Sequence, residues 1–171
     1  MIALHQQGNQ SIGRFAPSPT GPLHLGSLVT AVGSYLIAKM TSGQWLLRIE
    51  DLDLPRQIPG AADDIITTLD MLGFEWDGEI VYQSRCLDRY RAVIDDLLER
   101  GVVYPCGCTR SEILRVASAP ALGDDGLVYP GLCREGLPNG KTERAYRVKV
   151  NDDVIGFDDG VAGHFAQVLS V

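Results

Sequence analysis

The sequence predicts an α/β fold: a parallel sheet with helices packed on it, carrying a small cysteine-bearing insertion. Three observations predict it. Strand-like and helix-like periodicities alternate from residue 11 to about residue 104. A loop rich in Pro, Ser and Gly separates the first strand from the first helix. Between residues 105 and 144 the periodicity fades and cysteines gather.

The elements follow in order. Residues 11–16 read as a strand entering the loop 17–22. Leu25, Leu28, Val29, Val32, Tyr35 and Leu36 then recur at helical spacing, so a helix runs to about Thr41 and stops near Gly43. Residues 44–49 form an apolar-rich strand, which completes a βαβ unit. A loop with Pro55 and Pro59 leads into a helix over about 61–72, closed by Gly73. A third helix covers about 85–100, with Tyr90, Val93, Ile94, Leu97 and Leu98 on one face. Alternation returns at 145–150 and around 161–169, which are expected as strands rejoining the sheet. The expected organisation is therefore 11–104, an insertion over 105–144, and 145–171 returning to the sheet.

Composition bounds the rest. Hydrophobic residues at 45% and charged residues at 22% place the chain among ordinary globular proteins, not disordered ones. No apolar run reaches the ~18 residues of a membrane helix, and residues 1–10 lack the pattern of a secretory leader. A cytoplasmic protein with no membrane partner is expected. The net charge of −7 argues against extensive nucleic-acid contact through this chain's own surface, although a local basic patch is compatible with it.

The segment Arg14-Phe15-Ala16-Pro17-Ser18-Pro19-Thr20-Gly21-Pro22-Leu23-His24-Leu25-Gly26-Ser27 lies between a strand and a helix. A helix start offers free N–H groups and a positive dipole end to phosphates. Gly26 allows a flat ring to approach the backbone, and His24 can donate to a phosphate oxygen. A stiffened loop that merely caps a helix is the simpler alternative. A second block, Arg48-Ile49-Glu50-Asp51-Leu52-Asp53, stands at the end of the next strand.

Together these blocks resemble the glutamyl group of class I aminoacyl-tRNA synthetases. The first is similar to their His-Ile-Gly-His region and the second to their Arg-Ile-Glu-Asp-Thr-Asp motif. Weaker echoes follow at Leu72-Gly73-Phe74-Glu75-Trp76-Asp77 and Gln83-Ser84-Arg85. The resemblance implies the first half of a Rossmann-type nucleotide-binding domain. It also implies adenylation of glutamate: the amino-acid carboxylate attacks the α-phosphate of ATP, with Mg2+ accompanying the nucleotide. Catalysis is then positioning and charge stabilisation. His24 and Gly26 take the catalytic and ATP-binding roles, with Ser27 beside them. Arg14 can pair with the glutamate side chain in bidentate fashion. Glu50 accepts from the substrate ammonium, and Ala16 and Ser18 lie where the resembling enzymes hold the amino acid. Ser27 departs from the histidine of the general class I pattern.

Cys106-Gly107-Cys108 and, further on, Cys133 give three thiols, a soft donor set that suits tetrahedral zinc. Cys86 stands apart on a helix, His164 is distant, and Tyr129 is an unusual ligand in general. Within the family, glutamyl-queuosine tRNA(Asp) synthetases carry Cys-x-Cys…Tyr-x-x-x-Cys at this point, which implies Cys106, Cys108, Tyr129 and Cys133 as structural zinc ligands. Glutamyl-tRNA synthetases with zinc here tend to end in Cys-x-His or Cys-x-Cys. Nothing in the chain matches the lysine-rich ATP-phosphate loop of the resembling enzymes. The chain is therefore expected to be a truncated half and a poor adenylating enzyme by itself; a monomer is also expected.

The leading expectation is glutamate activation and transfer to the queuosine base of tRNA(Asp), without charging of the tRNA 3′ end. The alternatives are a piece of an ordinary glutamyl-tRNA synthetase, or a non-catalytic zinc-stabilised binding module. Another nucleotidyltransferase is disfavoured by Arg14 and by the Arg48–Asp53 block.

Overall fold

A computed structural model describes residues 11–116 and 129–169. The polar stretch 1–10 and the middle of the expected insertion, 117–128, lie outside the described residues. The described chain divides into two compact units, 11–89 and 90–169.

The first unit holds the βαβ unit that the periodicity predicts. Strand β1 (Ile12–Phe15) pairs in parallel with β2 (Gln44–Ile49), which pairs in parallel with the short β3 (Val81–Tyr82). Helix α1 (Leu25–Met40) connects β1 to β2, and α2 (Ala61–Met71) lies between β2 and β3 in the chain. Alternation along β2 sends Trp45, Leu47 and Ile49 into the core. Trp45 is its centre: Phe15 and Phe74 stack on it at 6.2 Å and 5.4 Å, and Tyr35 meets it edge-on at 5.2 Å. Its indole N–H donates to Ser34 Oγ at 2.9 Å, so the buried ring carries no unpaired donor. Ile65 and Leu69 of α2 join this cluster at helical spacing.

Helix α1 forms where its apolar spacing predicts, but of that stripe only Tyr35 packs on the core and Leu28 is half-buried. Leu25, Val29, Val32 and Leu36 are exposed, and the fully buried positions are Ala31 and Ala38. The reason is close approach. A Cβ on Gly13 of β1 would come within 3.0 Å of the Ser34 carbonyl and 3.1 Å of the Ala38 Cβ. Only small residues fit where the helix meets the strand, and the longer side chains turn outward.

The second unit begins within α3 (Leu87–Glu99), which buries no residue completely. Strand β4 (Val103–Cys106) pairs antiparallel with β5 (Ala145–Val148), and β6 (Val154–Asp159) forms a hairpin with β7 (Gly163–Val168). Residues 145–169 thus pair with β4 and with one another instead of joining the parallel sheet. The expected strand around 161–169 is β7, and its partner β6 was not expected. Asp159 makes the turn between them, accepting from the Val161 and Ala162 amides at 2.8 Å and 2.7 Å. The insertion also holds a helix the periodicity missed, α4 (Arg110–Val116). It starts with a capping box: Glu112 Oε2 accepts from the Thr109 amide at 2.7 Å, and the Glu112 amide donates to Thr109 Oγ1 at 3.3 Å.

Among the described residues, no helix is long and apolar enough to cross a membrane.

Candidate functional site

The loop between β1 and α1 is stitched to the end of β2. The Glu50 amide donates to the Pro17 carbonyl and the Ile58 amide to the Pro19 carbonyl, both at 3.0 Å. The two sequence blocks therefore meet at the carboxyl ends of adjacent parallel strands, where open α/β sheets place ligands. A cleft of about 370 Å³ opens along the first block, lined between Phe15 and Thr30. Ala16, Ser18, His24, Gly26 and Ser27 all line it.

His24 is the N-cap of α1. Its Nδ1 accepts from the Ser27 amide at 3.2 Å, and Ser27 Oγ lies 3.2 Å from Nε2. An accepting Nδ1 leaves the proton on Nε2 in a neutral ring. Ser27 thus holds the imidazole over the first helical turn. A Cβ on Gly26 would come 3.0 Å from His24 Cε1, so in this structure the glycine makes room for the imidazole. Thr30, one turn on, also lines the cleft, and its hydroxyl donates to the Gly26 carbonyl at 3.0 Å. Sequence reasoning missed Thr30, although its i+4 spacing from Gly26 was the available signal.

Arg14 and Glu50 do not line the cleft. Arg14 is exposed on β1 in register with Leu46. Glu50 Oε1 accepts from Arg48 Nη2 at 2.5 Å. The other acids of the second block are occupied as well. Asp51 accepts from the Ser84 amide and hydroxyl at 2.9 Å and 2.5 Å, and Asp53 pairs with Arg56 at 2.5 Å. Ser84 is thus an anchor for Asp51.

In the second unit the thiols of Cys106, Cys108 and Cys133 lie within 4.8 Å of one another and could hold a metal ion. Tyr129 Oη stands 3.3 Å from Cys106 Sγ and 3.6 Å from Cys108 Sγ, and accepts from the Cys133 amide at 2.9 Å. Burial opposes ionisation of Cys106, but the Tyr129 hydroxyl, Arg147 and the Cys108 amide around its sulfur overcome it and lower its pKa to about 6. Burial, then hydrogen bonding to the sulfurs, pushes the Tyr129 phenol well above its ordinary range. Gly107 is needed for the bend: a Cβ there would come 2.7 Å from the Thr142 carbonyl. Cys86 lies apart from the cluster, in the first unit.

The family model for tRNA synthetases class I (E and Q), catalytic domain, matches residues 12–122. The chain belongs to this class I synthetase family. Curated relatives named glutamyl-Q tRNA(Asp) synthetase include that of Geobacter sulfurreducens, 58% identical over 89% of this chain and 48% of its own. That of Dechloromonas aromatica is 54% identical over 92% of this chain and 52% of its own. The chain spans about half the length of these relatives. Among solved structures, a glutamate tRNA ligase from Elizabethkingia meningosepticum, in complex with its amino acid, matches with a TM-score of 0.76. It is 29% identical and covers 94% of this chain and 37% of its own. As a class I synthetase domain, the chain carries its two motif blocks on one sheet edge and its cysteine cluster in the other unit.

Proposed function

We propose that this chain is the glutamate- and ATP-binding half of a glutamyl-Q tRNA(Asp) synthetase, acting in the cytoplasm on the queuosine base of tRNA(Asp). The observation that carries the reading is the cluster of Cys106, Cys108, Tyr129 and Cys133 in a chain that also holds the glutamyl-type cleft. The names of the relatives at 58% and 54% identity support the same acceptor. The glutamate tRNA ligase likeness, at 29% identity, supports a second reading in which the tRNA 3′ end is charged.

The chemistry asks for no strong base, because the attacking glutamate carboxylate is already ionised. His24, held by Ser27 at the start of α1, would donate to a phosphate oxygen while the helix N-terminus favours the developing charge. Arg14 and Glu50 would take the side-chain carboxylate and the ammonium of glutamate. Mg2+ would arrive with ATP as part of the substrate.

Zinc fits the cysteine cluster. With Zn–S near 2.3 Å and Zn–O near 2.0 Å, tetrahedral geometry wants S···S about 3.8 Å and S···O about 3.5 Å. Cys108 and Cys133 sulfurs are 3.5 Å apart, and the Tyr129 oxygen lies 3.3 and 3.6 Å from two sulfurs. Zinc would there hold together a unit whose buried cluster is little more than the thiols, Tyr104, Tyr129 and Leu137.

The test is substrate-specific kinetics on the protein expressed from its complete reading frame. Arg14→Ala should weaken glutamate about 10- to 100-fold in glutamate-dependent ATP–pyrophosphate exchange, the worth of a charged hydrogen bond, with the KM for ATP little changed. Equal loss for both substrates, or none, contradicts the assignment.

A further inference from the structure

Resting on the zinc reading, we propose that Arg147 is a positioning residue of the metal centre: its guanidinium clamps the Tyr129 ring and offsets the negative charge of the four ligands. Arg147 lies opposite Tyr104 in the β4–β5 ladder, and Cys106 lies opposite Ala145. Alternation puts Arg147 on the same sheet face as Cys106. Its Cζ sits 3.7 Å from the centroid of the Tyr129 ring, well inside the ~6 Å reach of a cation–π contact. The same guanidinium bears electrostatically on Cys106 and Tyr129, so its charge falls on the cluster. One guanidinium thus stacks on one proposed ligand and shares a sheet face with another.

Charge gives this contact a purpose. With zinc bound, three thiolates and a phenolate would place four negative charges around a doubly charged ion, in a partly buried setting where an excess charge is costly. Among the described residues, Lys141 also feels Cys108 and Cys133 but is paired with Glu112 at 2.7 Å, and Arg134 donates to the Val150 carbonyl at 2.8 Å. Arg147 also buries its Nε without a hydrogen-bond partner. That cost is accepted where the plane of the guanidinium is fixed by something else, and here it is fixed by the Tyr129 ring. A lysine keeps the charge but cannot stack a flat guanidinium on the ring.

The test is zinc affinity of the 171-residue chain, measured by competition with a chromophoric chelator. Wild type should hold one zinc; finding none would overturn the zinc reading itself, separately from the role of Arg147. Arg147→Met should bind zinc about 10- to 100-fold more weakly, the usual loss when a group orienting a ligand is removed. Arg147→Lys should recover only part of this, and serves alone if Arg147→Met does not fold. In a Tyr129→Phe background the loss from Arg147→Met should shrink, because the clamped ligand is gone. The zinc-loaded thermal midpoint should fall more than the zinc-free one. Zinc affinity unchanged in Arg147→Met, full recovery in Arg147→Lys, or strict additivity with Tyr129→Phe would each overturn the proposal.

Discussion

At Asp77 a single carboxylate oxygen ties two elements together, accepting from the Trp45 amide at 2.8 Å and from Lys39 Nζ at 3.0 Å. The amide of Trp45, then the Lys39 ammonium, hold the Asp77 pKa below its ordinary value. A lowered folded-state pKa contributes stability that is present above the unfolded aspartate range and lost as pH falls through the folded value. Asp77→Asn should therefore lower the thermal midpoint near neutral pH, and the gap to wild type should close below about pH 3.9. A gap that persists in acid would mean that the ionised carboxylate is not what the fold uses. Residues of this kind separate the two uses of a motif. Asp77 and Asp51 sit in the sequence blocks that resemble the synthetases, yet each is committed to holding the fold.

Helix α1 illustrates what periodicity conveys and what it leaves out. Its existence and ends were legible from Leu25, Leu28, Val29, Val32, Tyr35 and Leu36, because any stripe at this spacing favours a helix. Its buried side was not, because the contact with β1 is set by Gly13, Ala31 and Ala38, which carry little hydropathy signal. Ala38→Leu should cost about 1–3 kcal/mol by overpacking, whereas Val29→Lys should change stability by no more than about 0.5 kcal/mol. Urea unfolding of the two variants checks both, and the reverse order would contradict the packing described. The cysteine set was legible because thiols at short spacing have few other uses in a chain expected to be cytoplasmic. Arg147 was not legible, since one arginine in an alternating strand reads as a solvated face until the ladder sets it beside Cys106. Helix α4 was hidden by the glycines and prolines around it, although Thr109 and Glu112 spell its capping box.

On the scale of the molecule, the two units rest on different physics. The first has an aromatic and aliphatic core around Trp45, and presents the cleft with His24 at the carboxyl edge of a parallel sheet. The second gathers Cys106, Cys133 and Tyr104 into a small cluster that a metal would complete. Exposed Leu25, Val29, Val32, Leu36 and Met40 give α1 an apolar face of the kind that marks contact surfaces. The curated relatives are about twice as long as this chain. The proposed function turns on which tRNA would receive glutamate. The decisive measurement is incorporation of labelled glutamate by the protein from the complete reading frame, offered tRNA(Asp) with and without queuosine and tRNA(Glu), each with its 3′ end oxidised or intact. The account predicts labelling of queuosine-containing tRNA(Asp) whether or not its 3′ end is intact, and no labelling of tRNA(Glu). Labelling of tRNA(Glu) that requires an intact 3′ end, with none on tRNA(Asp), would contradict it.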